Sequence, residues 1–137
     1  MRRLAVILAV ILVVIVVLAG CAGGDDDADG DAAAFCDRLD RLTDNDPFLA
    51  FGDTATPDEI EQAYAALVER TEELLDVAPE EARASARTYA ESAAALDALM
   101  ADAGYDGTAV DARAYRNEEL AYADASNLLL RYLDTQC

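Results

Sequence analysis

The chain has 137 residues and a formal charge of -18, with 28 acidic and 10 basic residues and no histidine or tryptophan. All of its basic residues are arginine. Such a surface repels phosphate and anionic lipid headgroups, which argues against nucleic acid as a partner and against an electrostatic membrane tether. Without histidine, the commonest general base and metal ligand is missing.

Arg2 and Arg3 precede an apolar run from Leu4 to Ala19. A positive start, a short apolar stretch and small residues at its end are the parts of a secretory leader. As a helix the run spans about 24 Å, short of the roughly 30 Å hydrocarbon core. It ends in Leu18-Ala19-Gly20-Cys21, which resembles the bacterial lipobox. That resemblance implies cleavage before Cys21 and a lipid on its thiol. Residues 1–20 are then a lipoprotein signal peptide. The competing reading is an uncleaved membrane helix, and both readings leave the arginines inside and the acidic part outside. Acyl chains on Cys21 would hold the protein at the outer face of the cytoplasmic membrane, since two or more chains give stable anchoring.

From Cys21 onward 117 residues remain, with a net charge of -20. That is enough for one domain. Residues 21–31 form the lipidated cysteine and an acidic tether, because AGGDDDADGD cannot build a core. Ten residues reach at most about 35 Å. Asp25, Asp27, Asp29 and Gly30 match the opening of a calcium loop, but its twelfth position is Cys36 instead of a bidentate glutamate. The weak calcium candidate therefore stands beside a plain repulsive spacer.

Residues 32–137 carry four helical patterns. The first runs from Ala32 to about Thr43, with Phe35, Leu39 and Leu42 on one face. The second starts at a Thr56-Pro57-Asp58-Glu59 capping box and ends near Val77. Its stripe is Ile60, Ala63, Tyr64, Leu67, Val68, Thr71, Leu74 and Leu75. The third starts at Pro79, buries Ala82, Ala86, Tyr89, Ala93, Leu96, Met100 and Ala103, and stops at Gly104. The fourth begins around Val110, with a break expected near Asn117. Its stripe reads Leu120, Ala121, Ala125, Leu128, Leu129, Tyr132 and Leu133. No useful length alternates with period two. The expected fold is all-α, an antiparallel four-helix bundle of up-down-up-down order.

With Cys21 taken by lipid, Cys36 and Cys137 remain. Outside the cytoplasm two such cysteines usually pair. The first lies early in helix one and the second just past helix four, ends that an up-down-up-down bundle brings together. Two free thiols are the alternative.

The arrangement resembles a loose group of small actinobacterial lipoproteins. The shared words are the lipobox, the acidic tether, Phe35-Cys36, Asp46-Pro47-Phe48, Ala103 to Asp106, and Tyr132-Leu133 with Cys137. The resemblance implies the anchor, the helical fold and the bridge, and no chemistry.

Ser85, Ser92 and Ser126 lie on helical patterns and none sits in a nucleophile elbow. No glycine-rich phosphate loop is present. Acidic pairs recur along the chain, at Glu72-Glu73, Glu80-Glu81 and Glu118-Glu119, so none is singled out for glycoside hydrolysis. Arg83 and Arg87, four residues apart, are placed to pair with nearby acids such as Glu80 and Glu91, the alternative being a grip on an anion. No catalytic residue, metal site or cofactor is assigned. Residues 44–55 hold surplus apolar side chains, Phe48, Leu49 and Phe51, which either cap the bundle core or form a patch for a partner. The functional expectation is a non-enzymatic binding or scaffolding module of the cell envelope, meeting an envelope protein or glycan. The alternatives are a carrier of a small apolar ligand or cation and, last, a carboxylate-dependent hydrolase.

Overall fold

The computed structural model describes residues 31–44 and 55–137. Four helices follow in order: α1 (Ala32–Asp44), α2 (Pro57–Asp76), α3 (Glu80–Asp102) and α4 (Ala112–Gln136). No strand occurs among the described residues. The central helix α3 packs along α2 and α4, and α1 touches α2 and α4. The short connections at residues 77–79 and 103–111 turn α2, α3 and α4 antiparallel to one another in succession. The chain is an all-α four-helix bundle.

The core follows steps of three and four residues, the seam of coiled-coil-like packing. On α1 it is Phe35, Leu39 and Leu42, and on α2 Tyr64, Leu67, Thr71 and Leu74, all buried. On α3 it is Ala82, Ala86, Tyr89, Ala93, Leu96 and Met100. The alanines let neighbouring helices approach the α3 backbone closely. The bulk comes from the facing helices, through the fully buried Phe35, Leu67, Leu74 and Leu129. Thr71 is the one fully buried polar side chain in this group, and its hydroxyl donates to the Val68 carbonyl at 2.9 Å. That bond removes the cost of an unpaired hydroxyl.

Each helix end has a local cause. The Glu59 amide donates to the Thr56 hydroxyl at 3.4 Å, and the Thr56 amide donates to the Glu59 carboxylate at 2.8 Å. This is the reciprocal capping box expected from the sequence. The Thr56 amide, and after it the Thr56 hydroxyl, donate to the Glu59 carboxylate and hold it below the usual glutamate range. A depressed folded pKa makes its contribution present above the unfolded value and lost as pH falls through the folded one. Thr56→Ala should destabilise the protein by about 1 kcal/mol in urea unfolding with an unchanged slope.

Pro79 differs from expectation. It sits before α3 with ψ of 161°, as the cap and not as the first helical residue. Its carbonyl accepts from Ala82 and Arg83 at 3.0 and 2.9 Å, so it opens the ladder without needing its own N–H. At the other end Tyr105 N–H reaches the Met100 carbonyl at 2.7 Å and Gly104 N–H the Ala101 carbonyl at 2.9 Å. Those two bonds make a Schellman stop, and Gly104 supplies its left-handed residue with φ of 61°.

The expected break at Asn117 is absent, and α4 is continuous from its Asp111 cap, which accepts from Arg113 and Ala114. Asparagine inside a helix costs only tenths of a kcal/mol. Packing of Tyr115 and Tyr122 on either side outweighs that cost. The expected α4 stripe holds at Ala125, Leu129, Tyr132 and Leu133 and is corrected at two positions. Leu120 and Leu128 are 57% and 47% exposed, and Tyr115 and Tyr122 pack inward instead.

Arg83 pairs with Glu80 at 3.0 Å as expected, whereas Arg87 has no acidic partner within 4.0 Å among the described residues. Exposed pairs of this kind contribute little. The excess of acidic charge dominates instead, and screening relieves it within about 10 Å at 0.1 M salt. The melting temperature should therefore rise between low and physiological salt. A flat response would show that self-repulsion does not limit stability.

Candidate functional site

Helix α1 has 13 residues and α2 has 20, so they span about 20 and 30 Å. The bridge between Cys36 and Cys137 pins the start of α1 to the end of α4, with Cα atoms 5.7 Å apart. The α1 helix therefore runs out before the opposite end of the bundle. There the first turns of α2, the end of α3 and the start of α4 border a cleft of about 550 Å³. Ile60, Tyr64, Met100, Val110, Tyr115 and Glu119 line it. From Tyr115 to Cys137 the helix rises about 33 Å, which separates cleft and disulfide by nearly the bundle length.

The cleft joins apolar walls to convergent polar groups. The hydroxyls of Tyr64 and Tyr115 meet at 2.6 Å. Tyr64 is only 4% exposed. Burial, and then the bond to Tyr115, push its phenol well above the ordinary value, so it stays neutral. Tyr105 donates to Asp97 at 2.9 Å and packs beside Tyr64, with ring centroids 6.4 Å apart. Its phenol is pushed up to about 12 by burial, then by the bond to and charge of Asp97. Tyr105 also holds φ at 56°, an uncommon conformation for a residue with a side chain. The bond to Asp97 and the contact with the Tyr64, Leu96 and Met100 cluster hold it there.

A second, smaller cleft of about 260 Å³ lies where Leu39, Leu42 and Leu67 meet Tyr89, Tyr122 and Leu129. Tyr89 and Tyr122 stack with centroids 4.4 Å apart and hydroxyls at 2.7 Å. A third groove, between α1 and α2, gathers Arg38, Arg41 and Arg70 with Asp37 and Glu73. Arg38 donates to the Glu73 carbonyl at 2.6 Å, and Arg41 pairs with Asp37.

Several residues singled out from the sequence are not described. Cys21, Asp25, Asp27, Asp29, Phe48, Leu49 and Phe51 all lie outside the described residues. The Cys36–Cys137 bridge is present. Among the described residues no group of three or more cysteine, aspartate or glutamate side chains could hold a metal ion, and no helix is long and apolar enough to cross a membrane. Ser85 and Ser92 lie on α3 and Ser126 on α4, within helices as expected.

The tyrosine pairs were missed by sequence reasoning. A signal existed: Tyr115, Tyr122 and Leu129 recur every seven residues, as do Glu118, Ala125 and Tyr132. That seam competes with the more hydrophobic leucines one position away.

No protein-family model matches the chain, and neither the curated proteins nor the solved structures contain a significant match.

Proposed function

We propose that the protein is a lipid-anchored, extracytoplasmic helical module that binds or scaffolds a component of the cell envelope without catalysing a reaction. The observation that carries this reading is the polarity of the bundle. The chain enters α1 beside the disulfide, at Asp31, and the mixed cleft at Tyr64 and Tyr115 lies at the other end. A tether attached at the first end would hold the cleft away from the lipid surface. The tether itself rests on Cys21 as the lipid carrier. Globomycin should make the precursor accumulate, and normal processing in its presence would sink the anchor.

The binding role is tested by a photo-crosslinking side chain at position 60 or 110 in intact cells. A discrete adduct with an envelope protein or glycan is expected from these positions. Position 87 on α3, which is exposed, serves as the control. Equal labelling from all three positions would remove the cleft from the proposal. A second reading, carriage of a small apolar ligand, is favoured by the walls of Ile60, Met100 and Val110. Extraction of the purified protein with organic solvent, followed by mass spectrometry, separates the two. A stoichiometric small molecule supports the carrier, and its absence leaves the scaffold.

A further inference from the structure

Tyrosine chemistry stands out once the other oxidisable groups are removed. The chain has no tryptophan or histidine, and its methionines are Met1 and Met100. Of the three cysteines, Cys36 and Cys137 are already joined and Cys21 precedes the helical domain, and Met100 is 5% exposed inside the core. Oxidants meeting the bundle therefore find six tyrosines as the principal electron donors. None of the six is exposed. Tyr89 and Tyr122 are the pair whose rings stack, at 25° between planes, with hydroxyl oxygens 2.7 Å and centroids 4.4 Å apart. The hydroxyls are closer than the centroids, so the phenol ends of the two rings converge, and these ends carry the ortho carbons that join in a dityrosine. Both phenols line the 260 Å³ cleft, so a small oxidant has a route to them.

We infer that Tyr89 and Tyr122 form an oxidative crosslinking site, coupling to dityrosine under one-electron oxidants derived from hydrogen peroxide. Each phenol gives up one electron and its hydroxyl proton. The two phenoxyl radicals join through one ortho carbon apiece, and the hydrogens on the joined carbons return to the oxygens. In sum, two phenols and one hydrogen peroxide give one biphenol and two waters. Preorganisation makes the intramolecular step outrun coupling between molecules, because the partners need no encounter. The product ties α3 to α4, as the disulfide ties α1 to α4, with a bond that thiols do not reduce. This inference is independent of what the distal cleft binds.

The test treats the full chain in detergent micelles with hydrogen peroxide and a small haem peptide. Expected are dityrosine fluorescence in the monomer band, a mass lower by two hydrogens, and a proteolytic fragment joining the peptides of Tyr89 and Tyr122. Tyr122→Phe and, separately, Tyr89→Phe should abolish all three signals while keeping the helical circular dichroism. Tyr115→Phe should keep them. The oxidised wild type should melt at higher temperature, with and without thiol. Monomer fluorescence that survives in both Phe variants would overturn the proposal. So would coupling confined to dimers, or a fragment joining other tyrosines.

Discussion

Replacing Cys36 and Cys137 together with alanine is expected to lower the unfolding free energy by about 2 to 5 kcal/mol. The two residues are 101 positions apart, so the bridge closes nearly the whole bundle into one loop. In the chain-entropy picture a loop of about 100 residues has a ceiling near 4.7 kcal/mol. The double variant is the right comparison, because a single one leaves a free thiol able to pair between molecules. Urea unfolding in the presence and absence of thiol measures the loss directly. A difference below about 1 kcal/mol would fall in the range of ordinary substitutions and show that the bridge decorates a fold stable without it.

The same loss should be uneven across the structure. A 13-residue helix is marginal in water by itself, so α1 depends on its docking. That docking consists of Phe35, Leu39 and Leu42, the Arg38 bond to the Glu73 carbonyl, and the bridge. With the bridge gone, amide exchange in α1 should accelerate before that in α3, which is packed on both sides.

How far the sequence revealed this depended on which forces were local. The start of α2 was readable because a capping box is set by four consecutive residues, and the stop of α3 because Gly104 takes a conformation few others tolerate. The stripes of α1, α2 and α3 were readable because their largest apolar side chains coincide with the seam. On α4 they do not. Leucine outranks tyrosine in hydrophobicity, yet Leu120 and Leu128 face out while Tyr115, Tyr122 and Tyr132 turn in. The reason lies outside the helix. Tyr64 and Tyr89 on α2 and α3 supply hydroxyl partners for Tyr115 and Tyr122, and Phe35 on α1 supplies an edge-on ring for Tyr132. Cross-helix partners of this kind carry no signature in the period of a single segment. The distal cleft was hidden for a similar reason, since residues from three different helices line it.

Phe35→Ala should cost about 3 to 5 kcal/mol, the range for removing a large aromatic from a closed core. Phe35 is fully buried and meets the Tyr132 ring edge to face, with centroids 5.4 Å apart and planes at 89°. Such a contact adds about 0.5 to 1.5 kcal/mol beyond burial. Phe35→Leu should cost less, because it keeps most of the volume. The sharper test is coupling with the bridge. Phe35 is the residue before Cys36, and both hold the same turn of α1 against α4. If either loss releases α1 as a unit, the second removes little that remains. The variant lacking Phe35 and both cysteines should then lose less than the separate effects added together, by more than the roughly 0.5 kcal/mol tolerated for independent sites. Strict additivity would mean that Phe35 and the disulfide act separately, Phe35 filling the core and the disulfide restricting the unfolded chain.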